Sequence, residues 1–389
     1  MWAEFENSID RIPEGIKILQ NKDIYIFGNG VYAESVFERL QKWHVNIKGV
    51  IVSNEYFEPE SEFHGFKVKP FREIKEEKIN IVAAYDILLH ESLNKMLLNS
   101  GIIDEIYYLE GIGTFMHDMH MRKDIILVDD YYKILLNRKL DYSYFQQNIS
   151  AFTQTYNWLA DEKSRVTMKC YLQGHIELKS WPMLPVWNES NVEEQYFPTD
   201  IITLSQNEVF VDCGAFTGDT LEIFDKHINT FDRYYALEPD AVRFEKLNNV
   251  IKAVCNKGNV VHLPIGVSDK KMKAYFDHSS AGCGQVVYDE ISTEECGYIE
   301  LDTIDNILDQ EEKVTFIKMD IEGEEMSALQ GAGTTIQKHK PKLAICVYHK
   351  KEDLISIPQY IKKLVPEYKL YLRAHWPTAN EVVLYGICE

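Results

Sequence analysis

Short apolar runs alternate with amphipathic segments over the first third of the chain. The runs DIYIF, IKGVIV, INIVAAY and EIYYLEG are separated by stretches such as VYAESVFERLQKW, in which apolar residues recur at intervals of three and four. Apolar runs of this length are typical of buried strands, and the second spacing is typical of helices that face a core. The pattern predicts an α/β domain with a mainly parallel sheet over residues 1–121.

The pattern changes over residues 122–195, where aromatic and aliphatic residues recur at helical spacing and strand-like runs are absent until late. Such spacing is typical of helices that pack against a core. Pro182 and Pro185 then interrupt the helical pattern. We expect a helical connector here that packs on the following domain, with Tyr196 and Phe197 at the mouth of that domain's cleft.

The last part, residues 196–389, returns to alternating strands and helices. Its runs VFVDC, YYALE, VVHLPI, TFIKM and KLAICVY are separated by amphipathic segments, but YKLYLRAH and EVVLYGI follow each other without a helix between them. Two successive strands pair antiparallel, so the pattern predicts a seven-stranded, mainly parallel sheet with an antiparallel last strand. That sheet is typical of methyltransferases, whereas a dinucleotide dehydrogenase would continue helix by helix.

The segment VFVDCGAFTGDT, residues 209–220, joins a buried strand to a helix through a glycine-rich turn. Gly214 and Gly218 allow backbone torsions and close approaches that a Cβ would prevent, and the helix start presents unpaired N–H groups. Asp212 adds a fixed negative charge, and the turn lacks the lysine of a phosphate-binding loop. These residues therefore favour a ligand with positive charge, hydroxyls and a carboxylate over a phosphate.

A second acidic strand end follows in RYYALEPD, where Glu238 closes an apolar run. In doubly wound sheets a carboxylate at this place binds the two hydroxyls of a ribose, and ligands lie across the carboxyl ends of the strands. Asp212, Gly214, Gly218 and Glu238 together indicate a nucleoside site. An ordinary βαβ unit with acidic strand ends is the alternative interpretation.

A third acidic strand end, in FIKMDIEGEE, places Asp320 and Glu322 beside the expected reactive end of a nucleoside. His349, at the end of CVYH, is a candidate general base or partner of the base, with Asp320 orienting the acceptor, since a neutral histidine titrates near physiological pH. The two carboxylates are alternatively ligands for a hard cation such as Mg²⁺. A histidine that only caps the following helix is the structural alternative, and Glu324 and Glu325 suit the positive end of their own helix.

Short β-like pieces lie between residues 271 and 298 and surround a loop that contains Ser280, Gly282 and Gly284. Glycine and serine stretches are usually solvent-exposed turns. A loop at this place is also a candidate to close over a substrate.

The first domain has a glycine turn of its own, because Gly28, Gly30 and Ala33 fit the G-x-G-x-x-A spacing of dinucleotide-binding turns. The following strand ends in Ser53 and Asn54, where an NAD site would have an acidic residue. The turn therefore indicates either ligand binding or a domain used for packing or dimerisation. An enzyme that uses NAD or a nucleotide sugar through this turn is one rival function.

The formal net charge of −20 argues against nucleic-acid and anionic-membrane partners, which require clustered lysine and arginine. The seven cysteines lack CxxC pairing and are interpreted as reduced core residues. No apolar run is long enough to span a bilayer, and the acidic start MWAEFENSID differs from a basic secretory signal. We expect a cytoplasmic protein that acts on a small or uncharged, glycan-like substrate.

Residues 196–389 resemble the FkbM family of S-adenosylmethionine (SAM)-dependent methyltransferases. The resemblance is carried by VDCGAFTGDT, LEPD, LPIGVSD, SSAGCG, ELDTID and above all FIKMDIEGEEMSALQGA, whose D-x-E-G-x-E core is specific. It implies a class I, Rossmann-like methyltransferase fold and O-methyl transfer to a hydroxyl of a sugar, polyketide or similar metabolite. The first domain, which is Rossmann-like, resembles the nucleotide-sugar-binding domain of certain sugar acyltransferases.

The resemblance also implies roles for individual residues. The family's positions for the methionine part of SAM correspond to Asp212, Gly214, Ala215, Gly218 and Thr220, with Phe216 and Asp219 in the same motif. Its ribose position corresponds to Glu238, followed by Pro239, and its adenine position corresponds to Gly266, Val267 and Ser268. Asp320 is counted with the cofactor residues as well as with the catalytic set of His349, Asp320 and Glu322.

The expected acceptor is a sugar hydroxyl, including one on a nucleotide- or lipid-linked sugar, which would place the protein in polysaccharide biosynthesis. A homodimer and a requirement for Mg²⁺ are left open. A non-catalytic glycan-assembly protein that has kept the fold is a second rival function. It predicts intact cofactor residues without turnover.

Overall fold

The structure, a computed structural model, describes Trp2 and residues 14–85, 91–109, 126–128, 142–177, 182–187, 194–254, 257–277, 285–287, 296–308, 311–377 and 379–388. The chain divides into two compact units, one of Met1–Asn137 with Gln173–Ser180 and one of Arg138–Leu172 with Trp181–Glu389. Residues 122–195, expected as a connector, are therefore divided between the two units. The domain boundaries at residues 121 and 195 stay predictions.

The first unit is built on a seven-stranded sheet. Its strands are β1 (Asp23–Phe27), β2 (Asn46–Val52), β3 (Glu62–Phe63), β4 (Phe66–Pro70), β5 (Ile79–Ala83), β6 (Ile103–Leu109) and β7 (Ile126–Val128), and its helices are α1 (Glu14–Gln20), α2 (Val31–Lys42) and α3 (Glu91–Asn99). The strand order is β3-β4-β2-β1-β5-β6-β7, and only β3 and β4 pair antiparallel. This confirms the predicted Rossmann-like first domain.

The glycine turn after β1 is explained by backbone packing. Gly28 has a φ of +120°, and a Cβ on it would lie 2.8 Å from the carbonyl oxygen of Ala84. Glycine is therefore required where the ends of β1 and β5 meet. By contrast, nothing lies within 4 Å of a Cβ built on Gly30. Binding of a ligand at this turn stays a prediction.

The second unit contains the remaining strands and helices of the described part of the chain. The strands are β8 (Val209–Cys213), β9 (Arg233–Leu237), β10 (Asn259–Leu263), β11 (Gly266–Val267), β12 (Met272–Asp277), β13 (Gln285–Val287), β14 (Cys296–Asp302), β15 (Phe316–Met319), β16 (Lys342–Cys346), β17 (Lys369–Ala374) and β18 (Val382–Ile387). The helices are α4 (Tyr142–Gln147), α5 (Ile149–Trp158), α6 (Glu162–Glu177, whose last residues fall in the first unit), α7 (Asp219–His227), α8 (Ala241–Val254), α9 (Ile304–Ile307), α10 (Glu325–Gln330), α11 (Gly333–His339) and α12 (Asp353–Leu364). Among the helices of the described residues, none has both the length and the apolar character needed to cross a bilayer.

The main sheet of the second unit has the strand order β10-β9-β8-β15-β16-β18-β17. All neighbours pair parallel except β18, which is antiparallel to both β16 and β17. This confirms the predicted seven-stranded sheet with an antiparallel last strand. A smaller sheet, β11-β14-β12-β13, is inserted in the chain between β10 and β15. The loop at Ser280, Gly282 and Gly284 lies outside the described residues.

An aromatic cluster forms the core beneath the central strands. Phe210 on β8 stacks on Phe316 of β15 with ring centroids 4.6 Å apart, and Phe197 meets both rings edge-on. Phe224 of α7 lies 5.2 Å from Phe210. Phe197 is 2% exposed. The expectation that it lines the mouth of the cleft is therefore wrong, because its ring is buried against the two stacked rings.

The start of α6 is attached to β17 by a buried arginine. Arg373 lies 2.6 Å from the carboxylate of Asp161 and 2.9 Å from that of Asp200. A buried guanidinium requires such partners, because an unpaired charge inside a protein is costly. The N–H of Ala160 also donates to the carbonyl oxygen of Leu370 on β17 at 2.8 Å.

Candidate active site

Three strands of the main sheet end side by side, and each is followed by a residue that the sequence singles out. The last residues of β8, β9 and β15 are paired in register. Gly214, Glu238 and Asp320 come directly after them. Because the strands are parallel, these residues lie together at the carboxyl edge of the sheet, where ligands bind in folds of this kind.

Close backbone packing fixes the turn between β8 and α7. Gly214 has a φ of +81°, and a Cβ on it would lie 2.0 Å from the carbonyl oxygen of Asp320. Gly218 has a φ of +95°, and its Cβ would lie 2.9 Å from the Cβ of Val250 on α8. Both positions therefore require glycine. The two glycines let β8 meet the end of β15 and let α7 begin against α8.

Phe216, inside this turn, has a φ of +48°, a conformation that residues with a Cβ rarely adopt. Its N–H donates to Oε2 of Glu238 at 2.9 Å, and the guanidinium of Arg243 lies 4.7 Å from its ring centroid. Phe216 remains 37% exposed, so its ring is accessible at the sheet edge. The other predicted residues of this motif are the buried Ala215 and Thr220 and the exposed Asp219.

Glu238 is a buried carboxylate with room for further hydrogen bonds. It is 3% exposed, and its Oε1 accepts the N–H of Asp240 at 2.9 Å. Burial raises the pKa of Glu238 to about 7, although the N–H donors of Asp240 and Phe216 and the charge of Arg243 oppose the rise. Each carboxylate oxygen has two acceptor positions, so hydroxyl donors can still bind. Such donors would favour the charged form.

Asp212 is fully buried, although its charge is expected from the sequence to face the ligand. Its Oδ1 lies 3.0 Å from Nζ of Lys318, and its Oδ2 accepts the hydroxyl of Tyr234 at 2.5 Å. The charge of Asp212 is therefore balanced inside the fold. Direct contact between Asp212 and a cofactor stays a prediction.

Lys318 is a buried cation behind the glycine turn that the sequence analysis missed. It is 2% exposed, donates to the carbonyl oxygen of Gly214 at 2.8 Å and lies 5.0 Å from the ring centroid of Tyr196. Burial alone would lower the pKa of Lys318, but the nearby carboxylates, led by Asp212, raise it. The sequence feature that could have revealed this residue is the single lysine in the apolar run TFIKM, since a buried lysine requires a partner.

The residues expected near adenine lie at the start of the smaller sheet. A Cβ on Gly266 would lie 2.6 Å from Cδ2 of Leu301 and 3.5 Å from Cγ of Pro239. This contact places β11 beside the segment that carries Glu238. Val267 and Ser268 are both buried, and their contact with a ligand stays a prediction.

The structure brings the predicted catalytic residues together around His349. Its Nε2 lies 3.5 Å from Oε2 of Glu322 and 3.6 Å from Oδ1 of Asp320, and its Nδ1 lies 2.8 Å from Oε1 of Glu325. The ring does not cap α12, whose N-cap residue is Glu352, because both ring nitrogens face carboxylates. His349 is therefore part of a carboxylate cluster at the end of β16.

The protonation state of His349 depends on the carboxylates around its ring. Burial alone would lower the pKa of His349, but the three carboxylates, led by Glu325, outweigh it and raise the pKa to about 9. At neutral pH the ring is therefore a cation. The sequence leaves His349 as either the base or the partner of the base. The raised pKa, which comes mainly from the buried Glu325, favours the second role.

Glu325 was expected to complement the helix dipole, but the structure gives it another role. It is fully buried, and its Oε1 accepts the N–H of Ile321 at 2.9 Å in addition to facing His349. Glu324, next to it, points to Lys350 at 3.5 Å. The positions of Glu324 and Glu325 on the helix could not reveal this difference. The contact of Glu325 depends on His349, which follows the distant strand β16.

Tyrosines and a further carboxylate line the other side of Asp320. The hydroxyl of Tyr196 donates to Oδ2 of Asp320 at 2.6 Å, and that of Tyr348 lies 3.3 Å from both Asp320 and Glu381. Gln195 donates to Glu381 at 2.6 Å. Burial and the charge of Asp320 raise the pKa of Glu381 to about 7. Tyr196 was expected at the mouth of the cleft, whereas Tyr348, Gln195 and Glu381 were not assigned to the site from the sequence.

With the geometry established, the chain can be compared with known proteins. Residues 212–370 match the family model of the methyltransferase FkbM domain. These residues form an FkbM methyltransferase domain. The matched segment contains Glu238 and the whole D-x-E-G-x-E cluster. The chain thus contains an FkbM-type SAM-dependent methyltransferase domain over these residues, as its sequence motifs imply.

Solved structures agree with this fold. The FkbM methyltransferase from Methylobacillus flagellatus KT is 21% identical with a TM-score of 0.64, and the match covers 97% of this chain and 94% of that one. At that identity the likeness shows the fold alone. An rRNA methylase from Streptococcus thermophilus (12% identity, TM-score 0.31, 52% of this chain and 94% of that one) and Aeropyrum pernix fibrillarin with natively bound SAM (10%, 0.30, 51% and 73%) are too distant to carry an argument. A comparison with curated proteins gave no match.

The residues of the FkbM domain fit SAM. Glu238 offers a buried carboxylate whose unused acceptor positions suit ribose hydroxyls. The exposed ring of Phe216 and the glycine turn stand next to it. On the other side, Asp320 and Glu322 place negative charge where a positive sulfonium would be stabilised.

Proposed function

We propose that the chain transfers the methyl group of SAM to a hydroxyl oxygen of a sugar or glycan-type acceptor. The observation that carries the proposal is the adjacency of two acidic sites on one sheet edge. Glu238 stands beside the glycine turn, and the cluster of Asp320, Glu322 and His349 follows β15 and β16. The first site suits a nucleoside, and the second suits the removal of a proton from a hydroxyl.

Glu238 is proposed to accept the ribose hydroxyls, with Phe216 and Arg243 forming the edge beside it. When bound, SAM supplies a methyl carbon to which the acceptor oxygen bonds while the carbon–sulfur bond breaks and its electron pair stays on sulfur. Holding the two reactants in line supplies much of the rate enhancement of such a displacement. The turn at Gly214 and the edge at Asp320 are the parts of this chain that would fix the alignment.

The acceptor hydroxyl must also lose its proton. Side-chain exposure is 30% for Glu322 and 22% for Asp320, whereas it is 3% for His349. Glu322 is therefore the carboxylate that an acceptor reaches most easily, and we propose that it takes the proton. His349, a cation at neutral pH, is its partner in the cluster and not the base itself.

The charge of the cluster supports an uncharged, hydroxyl-rich acceptor. Asp320 and Glu322 are negative groups near the proposed reacting position, so a phosphate there would be repelled. Sugar hydroxyls, by contrast, donate hydrogen bonds to carboxylates. A nucleotide- or lipid-linked sugar would have to hold its phosphates away from this cluster. The cytoplasmic location, the role in polysaccharide biosynthesis and the homodimer stay predictions.

Calorimetry and a turnover assay test the proposal with the full chain. We expect one S-adenosylhomocysteine (SAH) bound per chain, no heat with NADH, and a methyl ether formed on a neutral sugar in a panel of neutral, amino and phosphorylated sugars. Glu322→Gln should lower turnover at least about tenfold while leaving SAH affinity unchanged.

Three outcomes would count against this function. Absence of SAH binding would remove it, and binding of NADH instead would favour the rival that uses the turn at Gly28. Methylation of nitrogen in place of oxygen, or SAH binding without turnover of any sugar, would contradict the proposed acceptor. The last result is the one that a non-catalytic glycan-assembly protein predicts.

A further inference from the structure

Three metal-ligating side chains converge at the ends of β15 and β16. Asp320, Glu325 and His349 each contribute an oxygen or nitrogen atom, and these atoms all lie within 4.8 Å of one another. Nδ1 of His349 and Oε1 of Glu325 are 2.8 Å apart. Ligand atoms bonded to one cation at about 2.1 Å have separations of this order. The chain thus assembles a donor set from two strand ends and one helix start.

A second observation comes from Glu325 itself. Its side chain is fully buried, and its Oε2 has no hydrogen-bond partner among the described residues. Nearly all buried polar atoms in proteins have a partner, because a buried carboxylate oxygen without one is unfavourable. A cation or a hydrogen-bond donor bound to this oxygen would remove the penalty.

The charge balance shows which kind of ligand is needed. Three carboxylates surround the single imidazole of His349. The lysines of this region are engaged elsewhere, since Lys318 pairs with Asp212 and Lys350 with Glu324. The cluster therefore has an excess of negative charge that a cation would neutralise.

We propose that Asp320, Glu325 and His349 bind a divalent transition-metal ion. Because only a neutral imidazole binds a metal, the ion would displace the proton that His349 carries in the metal-free chain and release it to water. The donor set decides the class of metal, because oxygen ligands alone suit Mg²⁺ or Ca²⁺, whereas an imidazole nitrogen favours ions such as Mn²⁺, Fe²⁺ or Zn²⁺. The sequence alone suggests Mg²⁺ bound by Asp320 and Glu322. Because the donor set in the structure includes an imidazole, we propose instead a metal that binds nitrogen ligands.

The proposed metal site is inferred from these contacts alone, whereas its use in methyl transfer depends on the proposed function. A hydroxyl oxygen bound to a divalent cation loses its proton more readily, because the positive charge stabilises the anion that forms. Glu322 lies 3.5 Å from His349 and outside the proposed ligand set, so it remains able to take that proton. The acceptor oxygen would then be held between the cation and the methyl donor.

Titration with Mn²⁺ tests the site in the chelator-treated full chain. Free Mn²⁺ has a paramagnetic resonance signal that is lost on binding, so the bound fraction is measured directly and without turnover. We expect one Mn²⁺ per chain, affinity for Mg²⁺ at least about tenfold weaker, and a loss of Mn²⁺ affinity of at least about tenfold in Glu325→Gln and in His349→Ala. Glu324→Gln, the same change one residue earlier, should bind Mn²⁺ like the unchanged protein.

SAH binding, measured on each variant, separates a lost metal site from a lost fold and from failure of the proposed function. If both variants were unfolded, spin-echo modulation from an imidazole nitrogen on Mn²⁺ in the unchanged protein would still test the bond to His349. Absence of Mn²⁺ binding, full affinity in Glu325→Gln and His349→Ala, or absence of a nitrogen coupling would overturn the proposal. Equal affinity for Mg²⁺ would overturn the choice of metal.

Discussion

At the scale of single residues, the pair of Asp212 and Lys318 shows how charge can be part of a core. Both side chains are almost completely buried, 3.0 Å apart, and Tyr234 supplies a further hydrogen bond to the carboxylate. Lys318, which lies on β15, also donates a hydrogen bond to the carbonyl oxygen of Gly214. The pair therefore holds the glycine turn in place from behind, with its two charges balanced inside the fold.

Replacing Lys318 by Met should destabilise the protein strongly, because Asp212 would keep a buried charge without its partner. The expected loss is about 3–5 kcal/mol in the free energy of unfolding, measured by urea denaturation. The double variant Asp212→Asn with Lys318→Met should recover part of that loss, since it removes both charges. The exposed Lys270→Met should change stability by less than about 0.5 kcal/mol. A single Lys318→Met variant as stable as the control would show that the pair is dispensable.

The pKa of Glu238 predicts how SAH affinity depends on pH. Burial raises this pKa to about 7, and the ribose hydroxyls proposed to bind here would favour the charged carboxylate. Affinity should therefore be highest above pH 7 and fall as the carboxylate is protonated, to about one tenth at pH 6 relative to pH 8. Calorimetry at several pH values measures this.

The pH dependence should disappear in Glu238→Gln and persist in Glu245→Gln, an exposed glutamate on the neighbouring α8. Affinity that stays constant between pH 6 and 8 in the unchanged protein would argue against Glu238 as the ribose ligand. So would the same dependence in the Glu238→Gln variant.

Site residues that end apolar runs were predictable, and those defined by distant partners were not. Glu238 and Asp320 follow strand-like runs, so their position at the sheet edge was foreseen from the sequence. The burial of Glu325 depends on His349, which belongs to another strand end. Its position in a first helical turn instead favoured the helix-dipole interpretation.

At the scale of elements, the turn from β8 to α7 is the most constrained segment of the site. Three of its residues, Gly214, Phe216 and Gly218, have positive φ angles. The turn after β15 is similar, with Glu322 at +57° and Gly323 at +102°. Conformations of this kind persist only where surrounding contacts hold them, and they concentrate at functional sites.

Gly214→Ala should disrupt this arrangement, because its Cβ would lie 2.0 Å from the carbonyl of Asp320. The clash is with backbone and cannot be relieved by a rotamer change, so we expect a loss of about 3 kcal/mol or more, together with loss of SAH binding. Urea denaturation and calorimetry measure the two effects.

Gly30→Ala is the matched control in the first unit, since nothing lies within 4 Å of the new Cβ and φ is −83°. We expect it to cost less than about 1 kcal/mol. Comparable losses in the two variants would mean that the packing at Gly214 has no special importance.

At the scale of the whole molecule, the reversal at the end of the main sheet was predictable from the sequence, but the full set of site residues was not. Two successive strands at the end of the chain were enough to predict the reversal at β18. The site, however, also draws Tyr196 from before β8 and Glu381 from the turn before β18. Tyr196 is more than a hundred positions from Asp320 in the sequence, and Glu381 follows no motif. Only the folded chain therefore shows that these residues meet at the site.

The segment just before β8 limits how far the protein can be shortened. The FkbM family match begins at residue 212, and a truncated version starting at Val209 would keep every motif. It would nevertheless lack Tyr196, whose hydroxyl donates to Asp320. It would also lack Phe197, so that the stacked rings of Phe210 and Phe316 would be exposed to water. An excised catalytic half should therefore begin before Gln195, or it will tend to precipitate through the uncovered rings.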